Sequence, residues 1–409
     1  MINHYLRHQH KGERHSDNKR QEALFQQDSA KIRQILLMAG IYFHIPFCAQ
    51  KCIYCDFYSV ASVRHRATYC DALLHEWRLR RDELGKEPIR TVYFGGGTPS
   101  ILPVGDIARL LDALPLSHVT EITVEVNPDD ITQDYAKSLA YTGVNRISMG
   151  VQSFDDGELR FLRRRHDARQ ALNAFESLRN AGFNNISLDL MFALPVQTMQ
   201  TWQCTIAQTL TLRPEHISCY SLMYEEGTLL SRLLHEGKIQ ECDDALNEQM
   251  YRYLISTLKA NGYQHYEISN FSLPDRHSRH NSSYWNGTPY LGLGAGAHSF
   301  DGKCRRYNPS DVALYTQTLQ SGNVAYEEET LTEADRYNEF IMTRLRTARG
   351  ISLDALRRDF PDDYFEYFLR QAEPLFHRGS LRQSDSTTIT LSEDGLMLSD
   401  SVMRDLFRV

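Results

Sequence analysis

Cys48, Cys52 and Cys55 stand in the spacing C-x3-C-x2-C, three of the chain's eight cysteines within one short stretch. They follow an apolar, strand-like run over residues 41–47. Three thiolates on one loop can hold three irons of a cubane cluster. Such clusters normally take four cysteines, so a missing fourth ligand leaves one iron open to a small molecule. Zinc is the rival chemistry, but structural zinc sites pair one C-x2-4-C with a second, distant pair. The remaining cysteines, Cys70, Cys204, Cys219, Cys242 and Cys304, are scattered and supply no such pair. Three inert, buried cysteines are the plain alternative, and their density speaks against it.

Other residue types suit a small ligand beside that loop. Gly95, Gly96 and Gly97 sit between a strand-like run, 89–94, and a helix-like one, 103–114. Glycine there permits positive φ and close backbone approach. No Lys-Ser or Lys-Thr follows where a phosphate loop needs it, so the exposed backbone groups suit the amino and carboxylate ends of a zwitterion instead. Glu125 and Asp189 are carboxylates on strands whose other face is apolar. Each has an ordinary role as a satisfied structural acceptor, and each can also accept from a ribose hydroxyl or an ammonium group. Arg163, Arg164 and Arg165 form a basic run, by default a solvated helix face, though one guanidinium can pair bidentately with a carboxylate.

The elements that must position these groups are legible in the periodicity. Strands are expected at 89–94, 121–126, 146–151, 186–192, 216–223 and 265–271. Helices are expected at 61–84, 103–114, 132–142, 155–181, 198–212 and 243–261. Strand and helix alternate six times, which implies a parallel α/β sheet, open or barrel-like. In either form ligands bind at the carboxyl ends of the strands. The cysteines, the glycines, Glu125, Gln152 and Asp189 all fall at or near such ends. After about Leu273 the strands shorten. Helices at 333–347, 352–359 and 364–378, then short strands at 381–383 and 387–391, suggest a compact winged-helix-like domain. The expected division is therefore 1–37, 38–272, 273–330 and 331–409.

The chain has 409 residues, 42 % hydrophobic and 24 % charged, ordinary values for a globular protein with a large core. A net charge of −7 argues against a general nucleic-acid binder. No apolar run approaches a membrane span, and the scattered cysteines suit a reducing, cytosolic compartment. Residues 1–37 are rich in His, Arg, Gln, Lys and Asp, without the apolar core of a secretory signal. They read as a disordered or non-native extension, with Met38 as the natural start.

Five motifs together resemble the radical S-adenosylmethionine (SAM) proteins of the oxygen-independent coproporphyrinogen III oxidase superfamily. They are the stretch Tyr42 to Cys55, Gly95-Gly96-Gly97-Thr98-Pro99, Glu125-Val126-Asn127-Pro128, Gly150-Val151-Gln152-Ser153-Phe154 and Asp189 to Pro195. The resemblance runs from about Met38 to the C-terminus. It implies a partial (β/α)6 TIM-type barrel followed by an α+β winged-helix-like domain. It also implies a 4Fe-4S cluster on Cys48, Cys52 and Cys55, with SAM on the open iron. The implied SAM contacts are Tyr42, Tyr54, Gly96, Gly97, Thr98, Glu125, Gln152, Arg164 and Asp189. One departure is Ala193-Leu194-Pro195-Val196, where the family usually has glycine at Ala193 and Val196; a local loop change is expected there.

Within that superfamily the decarboxylating oxidases carry a further cysteine at the position of Phe57 and a longer N-terminal region. Phe57 and the run His280-Asn281-Ser282-Ser283-Tyr284-Trp285 are instead similar to the haem chaperone branch, HemW, and its H-N-x-x-Y-W motif. An imidazole at His280 can ligate iron. Tyr284 and Trp285 offer flat apolar surface to a porphyrin, and the glycines of 291–296 allow close approach. The ordinary role of such residues is a core histidine flanked by packing aromatics. The resemblance implies haem binding through His280, Asn281, Tyr284 and Trp285, with apo-haemoproteins as acceptors at the membrane's cytoplasmic face. The cluster and SAM would then serve assembly, dimerisation or transfer. The alternative is oxidative decarboxylation of coproporphyrinogen III, in which a 5′-deoxyadenosyl radical abstracts hydrogen from a propionate.

Overall fold

The structure is a computed structural model that describes residues 39–62, 64–85 and 87–409. The expected N-terminal extension and the start at Met38 lie outside the described residues.

Six strands follow one another in chain order, each parallel to the next: β1 (Ala39–Ile45), β2 (Ile89–Gly96), β3 (Glu121–Val126), β4 (Arg146–Gln152), β5 (Ile186–Phe192) and β6 (His216–Ser221). Side chains alternate between the two faces of a strand. Ile41, Phe43, Phe94, Val124, Met149, Leu188 and Ile217 point to one side and bury against the crossover helices in the largest core. The opposite face carries Tyr42, Tyr93, Glu125, Arg146, Ser148, Asp189 and His216. The parity of the sequence thus lines one face with polar groups, and the register brings them level.

The sheet continues past these six strands at both edges. Beyond β6 lie β7 (Gln264–Glu267) and β8 (Asn270–Ser272), antiparallel to each other. Next to β1 lies β9 (Tyr290–Leu293), parallel to it. It is extended by antiparallel β10 (His298–Phe300), β11 (Cys304–Tyr307) and β12 (Glu327–Thr330). Among the described residues the result is one 12-stranded sheet, open at β12 and β7. Residues 273–330, expected as a connecting region, therefore supply four of its strands as well as the helix Arg279–Asn286. Glu76, fully buried on the helix Arg66–Arg80, fastens this region. It accepts from Gly294 N at 2.8 Å, Tyr315 Oη at 2.6 Å, Asn308 Nδ2 at 2.7 Å and Arg80 Nη1 at 2.8 Å.

The C-terminal unit has its own core around Tyr337, Ile341, Phe368, Leu391 and Leu406. Its helices Glu333–Leu345, Leu353–Asp359 and Asp362–His377 carry a small antiparallel sheet, β13 (Ile351–Ser352), β14 (Leu381–Gln383) and β15 (Thr388–Leu391), in the order β13-β15-β14. This is the helices-plus-wing arrangement the sequence implies. Buried Glu267 of β7 pairs with Arg346 at 2.9 Å, and Arg344 donates to the carbonyls of Trp285 and Asn286.

Two expected elements are divided. The single helix over 155–181 is two, Asp156–Phe161 and Ala168–Asn180. Arg163 between them takes φ +55°, and Asp167 opens the second helix through a capping box with Gln170. The single strand over 265–271 is β7 and β8, joined by a turn that Glu267 holds by accepting from Ser269 N. Residues 393–406 form two short helices, Glu393–Met397 and Ser399–Leu406.

Candidate cofactor site and the adjoining cavity

The three cysteines lie on the loop after β1, Cys48 buried and Cys52 and Cys55 half-buried, all as free thiols. Burial raises the Cys48 thiol and pushes Cys55 up to about 11. An isolated buried thiolate is disfavoured, and bonding to a metal removes that penalty. The surroundings also suit thiolates. Arg164 Nη1 reaches Cys52 Sγ at 3.2 Å, and Thr98 Oγ1 reaches Cys48 Sγ at 3.5 Å. Among the described residues no three His, Cys, Asp or Glu side chains converge as a single-ion site. A cubane distributes its three thiolates over three irons and needs no such convergence, so the arrangement fits a cluster better than a mononuclear zinc site.

The glycine run closes against this loop. A Cβ on Gly97 would stand 3.0 Å from Cys48 Sγ and 2.9 Å from the Phe47 carbonyl oxygen. Gly96 has φ +110° and donates its N–H to Glu125 Oε2 at 3.2 Å. Glu125 also accepts from Tyr93 Oη at 2.8 Å. Burial lifts its carboxyl to about 7, against the opposing pull of those two donors. Asp189 is likewise raised by burial and accepts from Ser148 and Ser187 hydroxyls. Gln152 ends β4 at φ +68° beside a register shift, buried and strained. Tyr42 on β1 donates to or accepts from His44 Nδ1 at 3.1 Å. Tyr54, on the cysteine loop, packs against the small apolar cluster of Ile53, Leu162 and Leu194.

Arg164 is the residue whose placement only the fold reveals. Freed by the break in the expected helix, it turns back to the cysteine loop. Nη2 donates to Asn127 Oδ1 at 2.6 Å and to the Gly150 carbonyl at 2.7 Å while Nη1 faces Cys52. Asn127 in turn donates to Thr98 at 3.2 Å. Asn127, which the sequence marked only as part of a turn and a motif, thus joins the ends of β2, β3 and β4.

The four residues of the His280 motif divide. His280 is buried, with Nδ1 2.8 Å from Thr91 Oγ1 and Nε2 2.9 Å from Tyr284 Oη. Its backbone N–H donates to Glu121 at 2.8 Å. Its ring stacks on Tyr93 with centroids 5.0 Å apart, and burial pushes its imidazolium down to about 3, so the ring is neutral. Both ring nitrogens are therefore engaged, by Thr91 and Tyr284. Asn281 is half-buried, its N–H received by Ser278 Oγ. Tyr284 and Trp285 line a cavity of about 990 Å³ between the cysteine loop, β9–β11 and the C-terminal unit. Phe57, Tyr42, Tyr290 and Phe300 line it as well. Phe57 is 64 % exposed, an apolar ring left uncovered at the trailing edge of the cysteine loop. The sequence missed His298, Arg305 and Arg336, which also line this cavity. Their signal was weak: a histidine just after the glycine run 291–296, and arginines scattered over two units.

Comparison with known proteins agrees with this geometry. Residues 42–207 match the radical SAM superfamily, and residues 331–398 match the HemN C-terminal domain. The chain is 35 % identical to the heme chaperone HemW of Lactococcus lactis over 88 % of this chain and 95 % of that one. It is 34 % identical to the heme chaperone HemW of Bacillus subtilis, over 89 % and 98 % of the two chains. The coproporphyrinogen III oxidase HemN of Escherichia coli, a radical SAM enzyme, shares the fold at TM-score 0.76 and 24 % identity over 92 % and 93 % of the chains. On these relationships the chain belongs to the radical SAM superfamily and, within it, to the family of the heme chaperone HemW.

Proposed function

We propose that this protein is a haem chaperone that holds haem in the interdomain cavity and passes it to apo-haemoproteins. The observation that carries the reading is the cavity itself. It is about 990 Å³, at the upper end of small-molecule sites. Its walls pair flat aromatics, Tyr284, Trp285 and Phe300, with the cations Arg305, Arg336 and Arg344. Flat rings suit a porphyrin face, and guanidinium groups suit its propionates. His280 acts through Tyr284, whose hydroxyl it holds at 2.9 Å. Asn281, one residue on, helps to hold the same helix through its N–H bond to Ser278 Oγ.

The proposal includes a 4Fe-4S cluster on Cys48, Cys52 and Cys55. SAM would lie among Tyr42, Tyr54, Gly96, Gly97, Thr98, Glu125, Gln152, Arg164 and Asp189. The cluster would supply one-electron chemistry beside the cargo. The chain's own residues bind and orient. Glu125 and the Gly96 backbone offer an acceptor and a close approach, and Arg164 donates toward Cys52. A cytoplasmic location is part of the proposal. Its support is the eight free cysteines.

The rival is oxidation of coproporphyrinogen III, which the fold likeness to HemN keeps in view. One experiment separates them: reconstitute the cluster anaerobically, add haem, and follow the Soret band together with coproporphyrinogen decarboxylation. Stable haem binding without decarboxylation is the expected result. Decarboxylase turnover without haem binding overturns the proposal.

A further inference from the structure

Two histidines line the cavity, and they differ in what their rings already do. His44 is buried, its Nε2 2.9 Å from the Tyr58 carbonyl and its Nδ1 3.1 Å from Tyr42 Oη. His298 is exposed to the cavity on β10. Its ring meets the Tyr307 ring edge-to-face at 4.7 Å between centroids, and among the described residues neither ring nitrogen has a hydrogen-bond partner. His280, the third candidate, is closed off by Thr91 and Tyr284. A ligating imidazole needs a neutral nitrogen lone pair directed into the site. Partial burial and Arg305 lower the His298 imidazolium, which keeps the ring neutral at physiological pH.

The charges around it are arranged for an anionic, flat ligand. Arg305, on the neighbouring β11, is paired with Glu339 at 2.7 Å. Arg336 lies over the Phe360 ring at 5.9 Å and forms no ion pair among the described residues. An unpaired guanidinium stacked on an aromatic ring, in the same cavity as an unpartnered imidazole, matches the two polar needs of an iron porphyrin: an axial nitrogen and a cation for a carboxylate.

We infer that His298, rather than His280, is the axial ligand to haem iron, and that Arg336 receives a propionate. This inference rests on the haem-binding reading of the cavity. In it, His280 is a positioning residue that fixes Tyr284, and His298 makes the bond to iron.

The test uses full-length protein carrying its reconstituted cluster and two probes, haem and metal-free protoporphyrin IX. His298→Ala should weaken haem binding by about tenfold or more while changing protoporphyrin binding by less than about twofold. It should also move the Soret band and convert the ferric haem signal in electron paramagnetic resonance, with added imidazole restoring both. Arg336→Gln should weaken both probes alike. If wild-type protein binds both probes but His298→Ala leaves the haem spectrum and affinity unchanged, the ligand assignment is wrong and the cavity reading stands. If wild-type protein binds neither probe, the cavity reading fails and takes the assignment with it. A His280→Ala variant that folds normally, binds protoporphyrin and loses the wild-type haem spectrum would return the iron bond to His280.

Discussion

Arg164 Nη1 lies 3.2 Å from Cys52 Sγ, although the two residues are 112 positions apart. The contact joins the loop after β1 to the break between the helices after β4. It sets a fixed positive charge against one of the three thiolates. A donor to a cluster sulfur stabilises the reduced, more negative state and raises the reduction potential. Arg164→Ala should therefore retain the cluster and lower its potential, read by a redox titration monitored with electron paramagnetic resonance. Arg164→Lys should recover part of the shift, because it keeps the charge but not the fork that also grips Asn127 and Gly150. An unchanged potential in both variants would remove Arg164 from the cluster's environment.

Cys52→Ala should leave iron and sulfide contents at background after reconstitution, since two thiolates on the loop are too few for a cubane. Cys70→Ala is the control: that thiol is buried in the core, away from the loop, and its loss should leave the metal content unchanged.

Glu125 gives a pH dependence of known sign. Its carboxyl is raised from 4.5 to about 7 in the folded protein, first by burial. Between those values the unfolded chain is ionised while the folded one keeps its proton. The folded state thus binds more protons, and the contribution of this group to stability falls as pH rises through that window. Glu125→Gln should flatten the fall. Thermal unfolding without SAM, measured at pH 5 and pH 7.5 for both proteins, reads the difference. A parallel pH dependence in the two would sink the assignment.

Ala193 holds φ +61°, in the left-handed region, at a position where the resembling family usually has glycine. A Cβ there costs about 1 kcal/mol. Ala193→Gly relieves that strain and gives back part of it through the unfolded chain's freedom. The expected net gain is a few tenths to about 1 kcal/mol, measured by urea unfolding.

Glu267 and Arg346 tie the C-terminal unit to the edge of the large sheet. Arg346 also lies 4.5 Å from the Trp285 ring centroid, so the same side chain packs on a ring that lines the cavity. Arg346→Met leaves a buried carboxylate without its cation and should cost about 3 kcal/mol near neutral pH. Glu267 is already raised by burial, so the loss should shrink as pH falls and the carboxyl protonates. Chemical denaturation at two pH values checks both statements.

The sequence by itself determined the architecture and marked the cysteine loop at its centre. Six alternations of strand and helix sufficed for the parallel sheet, because crossover helices and a period-two polar face leave a local trace. The cysteine spacing marked the candidate cluster loop for the same reason: its three thiols are neighbours in the chain. Tertiary structure decided what depends on residues far apart. Arg164 reaches Cys52 only because the chain breaks at Arg163, and a positive φ there leaves no periodic signal. His280 reads as an iron ligand in sequence, but its partners, Thr91 and Tyr284, come from a distant strand and the next helical turn, and they occupy both ring nitrogens. His298, Arg336 and Trp285 meet around one cavity only once the sheet edge and the C-terminal unit pack together. Burial and the pairing of hydrogen-bonding groups are set by that packing, so sequence alone could name His280 but neither show its nitrogens engaged nor bring His298 into view.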